Sequence, residues 1–63
     1  MTNTERAQAG REAMRQFDGN DPQTDLIDLL TNLRHMADED NLNFQRAVGA
    51  SHHHFNAEIA GDA

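Results

Sequence analysis

No cysteine, lysine, tryptophan or tyrosine occurs among the 63 residues, and proline occurs once. Without cysteine there is no disulfide, no thiolate zinc site and no thiol nucleophile. No apolar run approaches the roughly 20 residues that span a bilayer, and no basic start followed by an apolar stretch marks the N-terminus. A soluble, cytoplasmic protein without a membrane partner is expected. Strand-like alternation and internal repeats are also missing, and the only local bias is His52-His53-His54.

A chain this short forms one domain and buries only about 60% of its unfolded surface, which leaves little free energy beyond the cost of ordering the chain. Helix packing, self-association or a bound partner must supply the stability, and a homodimer is the default expectation. The net charge is −6. Residues 1–17 carry Arg6, Arg11 and Arg15 against Glu5 and Glu12, whereas the remainder carries nine acids against Arg34 and Arg46. Such acidity disfavours direct binding of nucleic acid or anionic lipid and favours a basic protein surface.

The pattern predicts an all-α fold: a small three-helix domain over residues 1–63, built as an antiparallel helical hairpin plus a loosely packed N-terminal helix. Thr2 and Glu5 fit a capping box that opens a first helix over about residues 3–17, with a thin apolar face of Ala7, Ala13, Met14 and Phe17. Phe17 to Pro22 concentrates turn formers. Gly19 or Asn20 is suited to positive φ, Asp21 to an N-cap and Pro22 to the first helical position. A second helix over 22–39 follows. Asn43 then caps a third helix over about 44–60, with Leu42 as a hydrophobic staple and Gly61 as its C-cap. The connection is short, so Leu26, Leu29, Leu30 and Leu33 should pack against Phe44, Val48 and Phe55.

The second helix carries two opposed stripes. At 100° per residue its leucines share one side, while Asp21, Asp25, Asp28, Asn32, His35 and Glu39 share the other. Asp21 and Asp25 sit near the positive end of the helix dipole, a structural reason for both. Asp38, Glu39 and Asp40 crowd its negative end, where each is disfavoured by a few tenths of a kcal/mol. Either an exposed turn tolerates that cost or these acids meet something basic. Asp25, Asp28, Asp38, Glu39 and Asp40 are the candidate partner-binding residues.

Histidines are the remaining candidates for chemistry. Three consecutive imidazoles on a helix point about 100° apart and do not converge on one ion. His54 and Glu58 at i and i+4, with His35 from the second helix, form the one plausible trio, but no HExxH pattern accompanies them. Ser51 beside His52 has the spacing of neighbours that diverge on a helix, so a small residue on the apolar face explains it. Gly49 interrupts the third helix, which suits either close approach of a partner backbone or simple drift. No catalytic residue, metal or cofactor is assigned, and the chain is read as non-enzymatic.

Residues 25–58, DLIDLLTNLRHMADEDNLNFQRAVGASHHHFNAE, combine an LxxLLxxLRH helix, an acidic turn and an FxxAxxxxxxHF helix. This pattern resembles one found in small acidic proteins carried by bacteriophages and mobile elements of bacteria, a group that includes anti-CRISPR inhibitors. The resemblance implies a DNA-mimicking inhibitor in the bacterial cytoplasm that occupies a basic, nucleic-acid-binding surface, such as that of a Cas effector subunit. It implies no catalytic residues. The alternative is a dimeric helical accessory or regulatory module whose acids only maintain solubility. If the acids bind a basic partner, protonating the four histidines cuts the negative charge by as many as four units, and affinity should weaken between about pH 7.5 and 5.5. Unchanged affinity over that range in a calorimetric titration would count against this role of the charge.

Overall fold

A computed structural model describes residues 1–17, 19 and 21–61, and contains helices α1 (Asn3–Met14), α2 (Pro22–Glu39) and α3 (Phe44–Gly61). The expected all-α, three-helix fold is present. Each start follows from a capping side chain. Thr2 Oγ1 accepts from the Glu5 N–H at 3.1 Å while the Glu5 carboxylate accepts from the Thr2 N–H at 2.9 Å, closing the capping box. Asp21 accepts from the Gln23 N–H at 3.1 Å and from the Thr24 hydroxyl at 2.6 Å, with Pro22 at the first helical position. Asn43 Oδ1 accepts from the Arg46 N–H at 2.9 Å and opens α3.

Helix ends differ more from expectation. The first helix stops at Met14 rather than 17, because the chain tightens there. Arg15 N–H donates to the Glu12 carbonyl at 3.2 Å, Phe17 N–H to that of Met14 at 3.1 Å, and Gln16 Nε2 to that of Ala13 at 2.9 Å. Three carbonyls left open by the helix end are thereby satisfied. Gly19 does not adopt positive φ, and Asn20 lies outside the described residues. The left-handed position is instead Asn41, with φ 57°, just past α2. The Leu42 N–H then donates to the Ala37 carbonyl at 2.8 Å, the long bond of a Schellman stop. Gly61 is the last residue of α3, and any cap beyond it lies outside the described residues.

The turn at 40–43 sends α3 back along α2, with contact near that turn, where Ala37 is buried at 4% exposure. Away from the turn, α2 and α3 leave a crevice that α1 also lines. Ala7, Gly10 and Met14 face Pro22, Leu26 and Leu29 on one side, and Asn3, Arg6 and Ala7 face Phe55, Glu58 and Ile59 on the other. A polar clasp fastens the second contact. Arg6 Nε meets the Glu58 carboxylate at 3.2 Å, Asn3 Nδ2 donates to the Glu58 carbonyl at 3.0 Å, and Arg6 Nη1 donates to Asn3 Oδ1 at 2.8 Å. Asn3 thus satisfies a carbonyl in the last turn of α3, where intrahelical donors run out.

Apolar packing between the helices is sparser than the sequence predicts. Leu29 and Phe44 are half-buried, but Leu26, Leu30 (45%), Leu33, Val48 and Phe55 (58%) remain exposed, so the leucine stripe does not close against α3 as a core. Leu42 is also exposed and gains little as a staple. Ala37 is the one buried side chain among the described residues. A helix stop that relies on a left-handed non-glycine residue is a sensitive point in such a fold. Asn41→Val should lower stability by about 1–2 kcal/mol, while Asn41→Gly should leave it equal or slightly higher, as read by denaturation followed by circular dichroism.

Candidate protein-binding surfaces

The acids of α2 separate into two kinds. Asp21 is an N-cap, and its pKa is held below the ordinary value, first by the Thr24 hydroxyl and then by the Gln23 N–H. Asp25 is half-buried, and its carboxylate lies so close to the turn that a Cβ on Gly19 would collide with it. Asp25 is therefore less available to a partner than its position in the stripe implies. Asp28, Asp38, Glu39 and Asp40 are all exposed, and the one ion pair recorded among the described residues is Arg6–Glu58.

Geometry also divides the row. Asp28 and Glu39 share one strip of α2, about 16 Å apart along the axis, with the neutral Asn32 and exposed His35 between them. Asp38 projects about 100° from Glu39, and Asp40 lies just beyond the helix. The structure thus presents a lone carboxylate at Asp28 and a cluster of three at the foot of α2, rather than an even ladder. No basic residue lies in the last turn of α2. Its single cation, the exposed Arg34, places its guanidinium 5.8 Å from the centre of the Phe44 ring, a cation–π contact across the hairpin, and shares a surface hollow with Asp38 one turn along.

The histidine trio is not assembled. Among the described residues no three metal-ligating side chains converge, and Glu58 is engaged by Arg6. His52 lies 3.3 Å from the Asn56 amide and edge-on to His53, with ring centroids 6.2 Å apart. Ser51 Oγ donates to the Val48 carbonyl at 2.7 Å, a backbone-bonding role within its own helix. A Cβ placed on Gly49 would meet open space, so no close approach inside the monomer requires glycine there.

The second surface is apolar. A crevice of 910 Å³ between the three helices is lined by Ala7, Gly10, Leu26, Val48, Ser51, His52 and Phe55. On the outer side of the hairpin, Ile27 and Leu30 continue the apolar surface beside Phe44 and Val48. Periodicity places Ala7, Leu26, Leu30, Phe44, Val48, Ser51 and Phe55 on apolar faces, but it assigns them to a core. Nothing in the spacing reveals that the helices leave a crevice.

The capping carboxylates set the acid response. The pKa of Glu5 is lowered, first by the Thr2 N–H and then by the Thr2 hydroxyl, as that of Asp21 is lowered by Thr24 and Gln23. A group whose pKa is depressed by folding stabilises the helix above its unfolded pKa, and that contribution is lost as pH falls through the folded value. Helicity should therefore hold above the ordinary carboxylate range near pH 4 and decline below it. Asp21→Asn, which keeps a capping oxygen without a titrating charge, should shrink that acid transition in circular dichroism; an unchanged transition would exclude Asp21 as a contributor.

No protein-family model matches the chain, and comparisons with curated proteins and with solved structures find no match.

Proposed function

We propose that this chain is a non-enzymatic protein-binding module, an inhibitor that lays the acidic side of α2 against a basic surface with which another protein normally holds nucleic acid. The observation that carries this reading is the foot of α2. Asp38, Glu39 and Asp40 stand exposed at the negative pole of the helix dipole without a basic neighbour in the last turn, and Arg34 is drawn to Phe44. A basic protein groove would relieve that repulsion. Electrostatic steering would make association fast and strongly dependent on salt. The narrower reading, an anti-CRISPR-like protein of a phage or mobile element acting on a Cas effector subunit, rests on the resemblance of residues 25–58.

A second reading is favoured by the apolar crevice, which is a better match for an oligomeric accessory or regulatory module than for DNA mimicry. The two differ in salt response and in competition. Immobilised protein should retain a basic nucleic-acid-handling protein from nuclease-treated lysate of a bacterium with active CRISPR defence, and release it at moderate salt or on addition of that protein's nucleic acid. The double variant Asp28→Arg/Glu39→Arg should keep its helicity and weaken this binding at least tenfold, equivalent to about 1.4 kcal/mol. Binding that is indifferent to salt, competitor and charge reversal would reject the inhibitor reading.

A further inference from the structure

The exposed area of the chain is too large for a finished monomer. Its accessible surface is 5380 Å², against ~4,000 Å² for a folded monomer of this mass. The surplus of roughly 1,300 Å² exceeds the ~800 Å² per partner of a standard interface and falls in the range of obligate homodimers. Its radius of gyration is 13.2 Å, where a compact domain of this length has about 11 Å. Phe55 at 58% and Ile59 at 53% exposure sit on the apolar face of α3, where a soluble domain normally buries such side chains.

We propose that a second copy of this chain covers the crevice between the three helices, in a two-fold arrangement in which Phe55 of each copy enters the hollow lined by Ala7 and Gly10 of the other. A two-fold interface needs every copy to carry both a projection and the recess that receives it. Phe55 is the projection. The recess is beside Gly10 and Ala7, two small residues that line the crevice together with Leu26 and Val48. Local charge permits the same pairing. Ala7, Gly10, Leu26, Val48, Ser51 and Phe55 carry no charge, His52 is the one ionisable side chain in the lining, and the carboxylate beside Phe55, Glu58, is already paired with Arg6 at 3.2 Å. Asp28 lies about 180° around α2 from the buried Ala37, away from this surface. A basic partner, in contrast, would be matched to the acidic side.

This proposal is independent of the inhibitor reading, and its test separates the two. Sedimentation equilibrium of the full chain at sub-millimolar concentration should give twice the 7.0 kDa chain mass. That mass should persist at high salt and in the Asp28→Arg/Glu39→Arg variant, conditions under which binding to a basic protein is lost. Mixing isotope-labelled with unlabelled wild-type protein should yield intermolecular nuclear Overhauser contacts from the Phe55 ring to the Gly10 and Ala7 protons. Gly10→Leu raises intrinsic helix propensity yet fills the recess. It should retain helicity and raise the dimer dissociation constant at least about 30-fold, the scale of an interface hot spot, as should Phe55→Asp. A helical wild-type monomer, a dimer without contacts to Phe55, or a Gly10→Leu variant that dimerises as well as wild type would each overturn the proposal. The first of these outcomes would leave the crevice to a different protein.

Discussion

Ala37 is the only side chain fully withdrawn from water among the described residues, so little apolar packing holds the helices to one another. Burying one alanine contributes far less than ordering a chain of this length costs. The local bonds therefore carry unusual weight: the Thr2–Glu5 box, Asp21 at α2, the Asn41 stop and the Asn43 cap. They fix where each helix begins and turns. Fixing how the helices lie against each other is left to the Arg34–Phe44 stack near the turn and the Asn3–Arg6–Glu58 clasp between α1 and α3. Both are partly solvated, and an ion pair about one-third exposed contributes at most about 1 kcal/mol.

A fold held in this way couples its stability to whatever covers its apolar surface. Association that buries the crevice stabilises the folded chain by mass action, so unfolding becomes dependent on protein concentration. The same coupling bears on α1, whose apolar face is thin. Its residues Ala7 and Gly10 give little packing within one chain, yet they line the crevice. Small residues that weaken a monomer leave room for a second surface. In that light Gly10 is part of the shape of the crevice as well as a cost to the helix.

Much of this architecture was legible in the residues because its determinants are local. The box at Thr2 and Glu5, the pair Asp21-Pro22 and the cap at Asn43 announce helix starts through side chains that bond to backbone two or three positions away. Asn41 was less visible, since asparagine is only one of several residues in that turn able to turn left-handed, and Gly19 was the more obvious candidate. The exposure of Val48 and Phe55 was not legible at all. Periodicity records which side chains share a face, not the angle at which two faces meet, and it does not show that α1 lines the crevice with α2 and α3. For the acidic residues, Asp28 and Glu39 stand exposed on the stripe and Asp38 and Asp40 stand exposed beside it, while the partial covering of Asp25 arises from a turn whose path the sequence does not encode in any spacing.

The two proposed surfaces would respond to salt in opposite directions, which would connect them physically. Each chain carries −6, so bringing two copies together doubles the charge and opposes assembly over distances up to the Debye length, about 8 Å at physiological ionic strength. Salt screens this repulsion and leaves apolar burial intact, so the proposed self-association would strengthen with ionic strength. Contact between acids and a basic partner weakens under the same change. With Asp28 on the side of α2 opposite Ala37, the molecule keeps these demands apart, and a paired form would present two acidic faces outward instead of one. A basic surface that engages both would gain avidity only if its spacing matches the pair. Any such partner therefore reads the geometry of the assembly as well as the charge of one helix.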